Sequence, residues 1–209
     1  MFYAIDIDNT ITVPRFCYPD FTRTVQRYID DGIVLQDDVE DIQHYHHQFY
    51  LLPKVAITHL PMNGAVEALQ GIASEGASIQ YFTVRNHINS DVCKAIHENT
   101  HIWLENYGFP NPMGVRFFWD MAEKLLQASE SAETQSILVD DRPSGLFKAY
   151  QHIAENDPQK AQQIRERVTL IAFGYTDIRQ FSIPNGLRVL PLAEWSQLRE
   201  LLSSRGKSS

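Results

Sequence analysis

Cysteine is scarce in this chain: Cys17 and Cys93 are the two it has among 209 residues. Two cannot build a disulfide framework, and they stand at no zinc-ligand spacing. That usage fits a reducing cytoplasm. Basic residues are also short, 18 Lys and Arg against 26 Asp and Glu, for a formal net charge of −8. A dedicated nucleic-acid binder would present a basic face, so no nucleic-acid polymer is expected as partner. A small anionic ligand stays open, because a metal ion and two or three basic side chains can set the local field. No apolar run approaches the length of a membrane span, and the opening MFYAIDIDNT lacks the basic start and long apolar core of a signal peptide. There is no internal repeat. No G-x-G-x-x-G follows the first apolar run, which weakens a dinucleotide reading. The closing RGKSS imitates a phosphate-binding loop but has neither the earlier glycine nor a helix after it. A soluble cytoplasmic protein is expected.

What is present is an ordinary apolar fraction, 44%, enough for one core domain with an insertion. Short apolar runs at Phe2–Ile7, Ser78–Thr83, Gly114–Trp119, Ser136–Val139, Thr169–Phe173 and Leu187–Leu190 read as strands. Helical patterns alternate with them, at Gly64–Ala73, Ser90–Tyr107, Met121–Ser129, Leu146–Glu155, Gln159–Val168 and Ala193–Leu202. Gly71, Gly76 and Gly108 stand where helices should stop. Such alternation implies an α/β fold whose mostly parallel sheet is covered on both faces. Ligands of these sheets bind at the carboxyl ends of the strands, where strand order reverses.

Residues 13–60 break the rhythm. Two helices are expected there, near Phe21–Asp31 and Asp37–Tyr50, joined at Gly32. The stretch from Asp20 to Asp41 holds seven Asp or Glu against two Arg. The insertion is too long for an ordinary connection and reads as a small helical cap. The core is then 1–12 together with 61–203, and 204–209 form a disordered tail.

Four features fall at the ends of successive predicted strands: Asp6 with Asp8, Thr83, the segment carrying Lys124, and Asp140 with Asp141. Each has a plain structural reading. A D-x-D can close a strand in an Asx turn, a Thr can cap a helix, a lone Lys can be a solvated face, and DDRP can start a helix. Their joint placement along one parallel sheet is what points to a site.

On these residues the chain resembles the haloacid dehalogenase superfamily of phosphohydrolases. The family's first motif, a strand followed by D-x-D-x-[TV], is matched by Asp6-Ile7-Asp8-Asn9-Thr10. Its second, a strand ending in Thr or Ser, is matched by Thr83, with Arg85 following. Lys124 best matches the third, and the acidic pair of the fourth is Asp140 and Asp141. Asn9 stands where the family often has Gly. The resemblance implies a Rossmann-like three-layer sandwich with a cap between the first and second motifs.

It also implies a chemistry. Asp6 would attack phosphorus and form an aspartyl-phosphate, splitting one displacement into two easier ones. Asp8 would protonate the leaving oxygen and later take a proton from water. Two carboxylates so close need a cation, and oxygen ligands open to solvent favour Mg²⁺. By resemblance its ligands are the Asp6 side chain, the Asp8 main-chain carbonyl and an acid of the Asp140/Asp141 pair, with Asp141 favoured as the direct one and Asp140 behind it. Thr83 would hold a phosphoryl oxygen and Lys124 would neutralise the aspartyl-phosphate. Thr10, Asn9, Arg85 and Asn86 complete the expected phosphate- and substrate-binding set. A carboxylate at Asp8 separates phosphate-ester cleavage from the family's dehalogenases and phosphonatases, which lack an acid there.

The expected ligand is a small phosphorylated metabolite. By similarity alone, Thr83-x-Arg85-Asn86 and the short cap suggest a nucleotide, with a sugar phosphate or phosphoglycolate as alternatives. The rivals from another class are a receiver-like domain and a non-catalytic phosphate-binding module. Receivers carry their acidic pair after the first strand, the reverse of the order here. His44, His46 and His47 lack partners at ligand spacing, and the cap aromatics can pack a small core or stack on a base. Oligomeric state is not legible.

Overall fold

The computed structural model describes residues 1–12, 60–86, 90–131 and 135–203. The expected cap helices, the histidines at 44–47 and the tail at 204–209 lie outside the described residues. Six strands, β1 (Phe2–Ile5), β2 (Ser78–Thr83), β3 (Val115–Phe117), β4 (Ser136–Asp140), β5 (Val168–Phe173) and β6 (Arg188–Leu192), form one sheet. Its order is β3-β2-β1-β4-β5-β6, and every pairing is parallel. The order reverses between β1 and β4, whose ends are level because Ile5 pairs with Val139. That is the crevice where a sheet of this kind takes its ligand.

Period-two alternation sorts the strand side chains onto two faces. Tyr3, Ile5, Ile79, Tyr81, Ile137, Val139 and Ile171 form one core cluster, with Leu69 of α1 (Ala65–Ser74) and Trp103 and Leu104 of α2 (Ser90–Asn106) packed on it. Phe2, Ala4, Phe82, Leu138 and Leu170 form the other. It is covered by Leu125 and Ala128 of α3 (Met121–Glu130), Leu146 and Tyr150 of α4 (Pro143–Asn156), and Ile164 of α5 (Pro158–Arg167). The last predicted helix divides into a 3₁₀ turn at Trp195–Gln197 and α6 (Leu198–Ser203), with Trp195 buried in the first cluster.

Differences from the sequence reading have local causes. β1 stops at Ile5 because the Ile7 carbonyl gathers the N–H groups of Thr10, Ile11 and Thr12 at 3.1–3.3 Å, which closes a turn. Val168 opens β5 rather than ending α5, as a β-branched residue on a buried strand does. Gly71 lies inside α1, not at its end. A Cβ there would come within 3.1 Å of the Arg199 guanidinium, so the glycine allows that close approach. Gly76 and Gly108 do follow helices, at φ +87° and +72°. Thr12 and Pro61 form an antiparallel bridge, and Met62 N–H donates to the Ile11 carbonyl at 2.6 Å. The segment between therefore leaves and rejoins the core at one place, beyond the carboxyl end of β1.

Candidate active site

Asp6 is the residue at which β1 hands over to the turn. Its N–H still donates to the Val139 carbonyl at 2.9 Å, which keeps it level with β4. Phe2 and Ala4 face the α3 side of the sheet, and alternation sends Asp6 the same way. Leu138 and Asp140 repeat the pattern on β4. Lys124 comes down on both acids from the second turn of α3, fully buried, with Nζ 2.5 Å from Asp6 Oδ1 and 2.5 Å from Asp140 Oδ2. The start of α3 is fixed by Asp120, whose side chain accepts from the Ala122 and Glu123 N–H groups as an N-cap. Asp140 is further held through Oδ1, which accepts the Arg142 N–H at 2.7 Å.

Asp8 faces the other way. Its two oxygens accept a two-pronged hydrogen bond from Arg85, Nε and Nη2 each at 2.7 Å, and Thr83 Oγ1 lies 3.4 Å from Oδ2. Thr83 follows Ile79 and Tyr81 on the α2 face of β2. Arg85 is 4% exposed, whereas the Asp8 side chain is 39% exposed. The guanidinium is also bonded through Nη1 to Thr100 Oγ1 of α2 at 3.0 Å.

The turn between the acids is built for its shape. Asn9 has φ +58°, a left-handed conformation that Asn adopts more readily than most residues. Its N–H donates to Thr12 Oγ1 at 3.3 Å, and Thr12 Oγ1 donates to the Ile7 carbonyl. Thr10 donates its hydroxyl to Asp6 Oδ2 at 3.1 Å. The Thr10 carbonyl in turn accepts from buried Trp195 Nε1 at 2.8 Å.

Electrostatics fit a cation. Burial, aided by the charges of Asp140 and Asp8, pushes the Asp6 carboxyl up to about 8 against the pull of Lys124. Burial likewise raises Asp141 to about 6, with Asp140 adding to it and the Asn9 amide and Lys124 opposing. Burial disfavours the Lys124 ammonium, but Asp140 and Asp6 outweigh it and hold its pKa above the ordinary value. One ligand atom each from Asp6, Asp140 and Asp141 lie within 4.8 Å of one another. Asp141 Oδ1 is buried and accepts no hydrogen bond among the described residues. Three carboxyls against one ammonium, with one oxygen orphaned, suit a hard divalent ion with oxygen ligands.

The sequence-selected residues thus gather at one crevice, with one exception. Asn86 turns its amide to the Phe117 carbonyl at 3.1 Å and its oxygen to His97 Nε2 at 3.1 Å, and Cys93 Sγ lies 3.6 Å away. Its contacts tie β3 to α2. Sequence reading missed Thr12, Thr100, Asp120 and Trp195. Thr12 was visible as a hydroxyl at the end of the D-x-D-N-T-x-T run, and Asp120 as an acid before an amphipathic helix. Thr100 and Trp195 act through contacts that no local pattern announces.

No family model and no curated protein matches this sequence. Solved structures do match its fold. A D,D-heptose 1,7-bisphosphate phosphatase from B. bronchiseptica, complexed with magnesium and phosphate, superposes with a TM-score of 0.53 at 12% identity, covering 98% of this chain and 99% of that one. A HAD family hydrolase from Deinococcus radiodurans R1, with bound phosphate and sodium, gives 0.50 at 13% identity over 98% and 95%. A haloacid dehalogenase-like hydrolase from Burkholderia xenovorans LB400 gives 0.50 at 12% identity over 97% and 96%. With its six parallel strands in this order and its acids at the switch point, the chain has the fold of the haloacid dehalogenase-like hydrolases.

Proposed function

We propose that this chain is a Mg²⁺-dependent phosphomonoester hydrolase that works through an aspartyl-phosphate on Asp6. The observation that carries the reading is the division of two neighbouring acids. Asp6 is buried against Lys124 and Asp140, while Asp8, two residues on, is half open and held by Arg85. A nucleophile and a proton shuttle need those two environments.

In the first step Asp6 attacks phosphorus, a new P–O bond to its carboxylate forms, and the ester P–O bond breaks. The leaving oxygen takes a proton from Asp8. In the second, Asp8 takes a proton from water as that water attacks phosphorus, and the bond to Asp6 breaks to release phosphate. Asp6, Asp141 and the main-chain carbonyl of Asp8 would hold Mg²⁺, with Asp140 behind them. The bound ion supplies charge neutralisation that keeps Asp6 ionised beside an anionic ester. Lys124 neutralises charge on the aspartyl-phosphate formed at Asp6, and Thr83 donates to a phosphoryl oxygen.

Residues 13–60, rooted beside the crevice at Thr12 and Pro61, would form the cap that chooses the substrate. The substrate class is a small organic phosphate, with nucleotides first in order of trial. Magnesium and phosphate on the same fold in the B. bronchiseptica structure accord with this ligand class. The test is phosphate release from nucleotides, sugar phosphates, phosphoglycolate and 4-nitrophenyl phosphate, with Mg²⁺ or with EDTA. Metal-dependent turnover lost in Asp6→Asn supports the reading. Turnover that survives Asp6→Asn, or its absence with every ester, overturns it.

A further inference from the structure

We infer that Thr100, on the inner face of α2, is a positioning residue for the proton-transfer step, acting through Arg85 on Asp8. The inference rests on the reading of Asp8 as the acid/base. Thr100 is buried, and its hydroxyl donates to the Ile96 carbonyl one turn back at 2.7 Å. That bond fixes the direction of the oxygen's lone pairs, and Arg85 Nη1 is the donor they receive, at 3.0 Å. A Thr that bonds back to its own helix is neutral to unfavourable for helix formation. Its presence on a face otherwise packed with Trp103 and Leu104 needs a reason beyond α2 itself.

Geometry supplies the reason. A guanidinium is planar, so fixing Nη1 on Thr100 also fixes the plane in which Nε and Nη2 meet the two Asp8 oxygens, each at 2.7 Å. Asp8 sits on a turn and is substantially open to solvent, so contacts from buried groups are what can hold its rotamer. The clamp from Arg85 does so, and Thr100 sets the clamp. A small tilt at Thr100 is carried about the length of the guanidinium and displaces the carboxylate from the reacting oxygen. Misplacement of that order lowers the rate of a positioned proton transfer without altering how the phosphate is held.

Thr100→Val keeps the shape and removes the acceptor, Thr100→Ala keeps the helix should the valine fail to fold, and Thr100→Ser keeps the oxygen. With glycerol 2-phosphate, whose leaving alkoxide needs a proton, and Mg²⁺, the first two are expected to lower kcat by about tenfold with KM within about twofold of the parent. Thr100→Ser should stay within about twofold in both. In an Asp8→Asn background, Thr100→Val should cost little more, because its effect passes through Asp8. A fall in KM-linked binding instead of kcat, equal losses in the Val and Ser variants, or full additivity with Asp8→Asn would each overturn the inference. The Arg85 Nε–H resonance gives a readout independent of turnover. It should be sharp and slow to exchange in the parent and in Thr100→Ser, and fast in Thr100→Val. An unchanged resonance in Thr100→Val refutes the clamp, whereas a parent inactive on every ester refutes the hydrolase reading and leaves the resonance test standing.

Discussion

Asp6 and Asp8 are two residues apart in sequence and belong to opposite sides of the sheet. The Asp6 side is closed: Lys124 and Asp140 are buried, and each contact is a direct charge pair. The Asp8 side has a buried cation and an open acid, Arg85 reaching outward from Thr100 to a carboxylate that solvent also touches. The difference follows from the turn that closes after β1, which takes Asp8 out of the strand's alternation, and from which helix lies on which face. On the proposed reading it teaches that a reaction with two proton states can be divided between neighbouring carboxylates once a turn separates their surroundings. The proposed nucleophile is set among fixed charges, and the proposed proton shuttle is left near water.

Asp6→Asn should break the comparison most completely, lowering phosphate release by about 10⁴-fold or more. Acid-quenched mixtures should then show no phosphoprotein, where the parent traps one. Lys124→Met comes next. It leaves Asp6 and Asp140 facing each other without a counter-ion, and should destabilise the metal-free protein by about 3 kcal/mol in urea unfolding, the low end for a broken buried pair because Asp6 can take up a proton. Turnover should fall by about 10²–10³-fold. Asp8→Asn should lower turnover by about 10²-fold while leaving the closed side intact. Its loss should be greater for glycerol 2-phosphate than for 4-nitrophenyl phosphate, whose leaving group departs more easily without a proton. Equal losses on both esters would remove the proton-donor role.

A further test is a pH dependence confined to the closed side. Asp6 at about 8 and Asp141 at about 6 hold protons in the metal-free fold that they release at 3.8 when unfolded. Across that window the folded chain binds more protons than the unfolded one, so metal-free stability should fall as pH rises from about 4 to about 8. Below the window both states are protonated and the effect vanishes. Added Mg²⁺ needs the ionised carboxyls and should reverse the trend, so the gain in Tm on adding the ion should grow from pH 5 to pH 8. A gain independent of pH would argue against Asp6 and Asp141 as ligands.

Much of this arrangement is legible in the sequence because it depends on short-range rules. The six strands and their alternation with helices were readable from apolar runs. The crevice followed from D-x-D, Thr83 and the Asp140/Asp141 pair falling at strand ends. The phase that turns Asp6 and Asp140 to one side is only a count of two along each strand. Lys124 was readable through resemblance, not through spacing. Arg85 was legible as a cation near the site but not in its partners, because Thr100 depends on how α2 is rotated against β2. Gly71 misled as a helix stop because a glycine inside a helix carries the same local signal as one at its end. The cap reading at 13–60 concerns residues outside those described.

One contact made in passing has a consequence for how the molecule comes into being. Trp195 donates to the carbonyl of Thr10, and that pair is 185 positions apart in the chain. Thr10 is also the residue whose hydroxyl holds Asp6. A ribosome that has released every side chain of the crevice has still not made the anchor for the turn that follows Asp6. The setting of the turn is therefore deferred until Trp195 has been made, and a chain cut just before Trp195 would keep the whole motif set and lose that anchor.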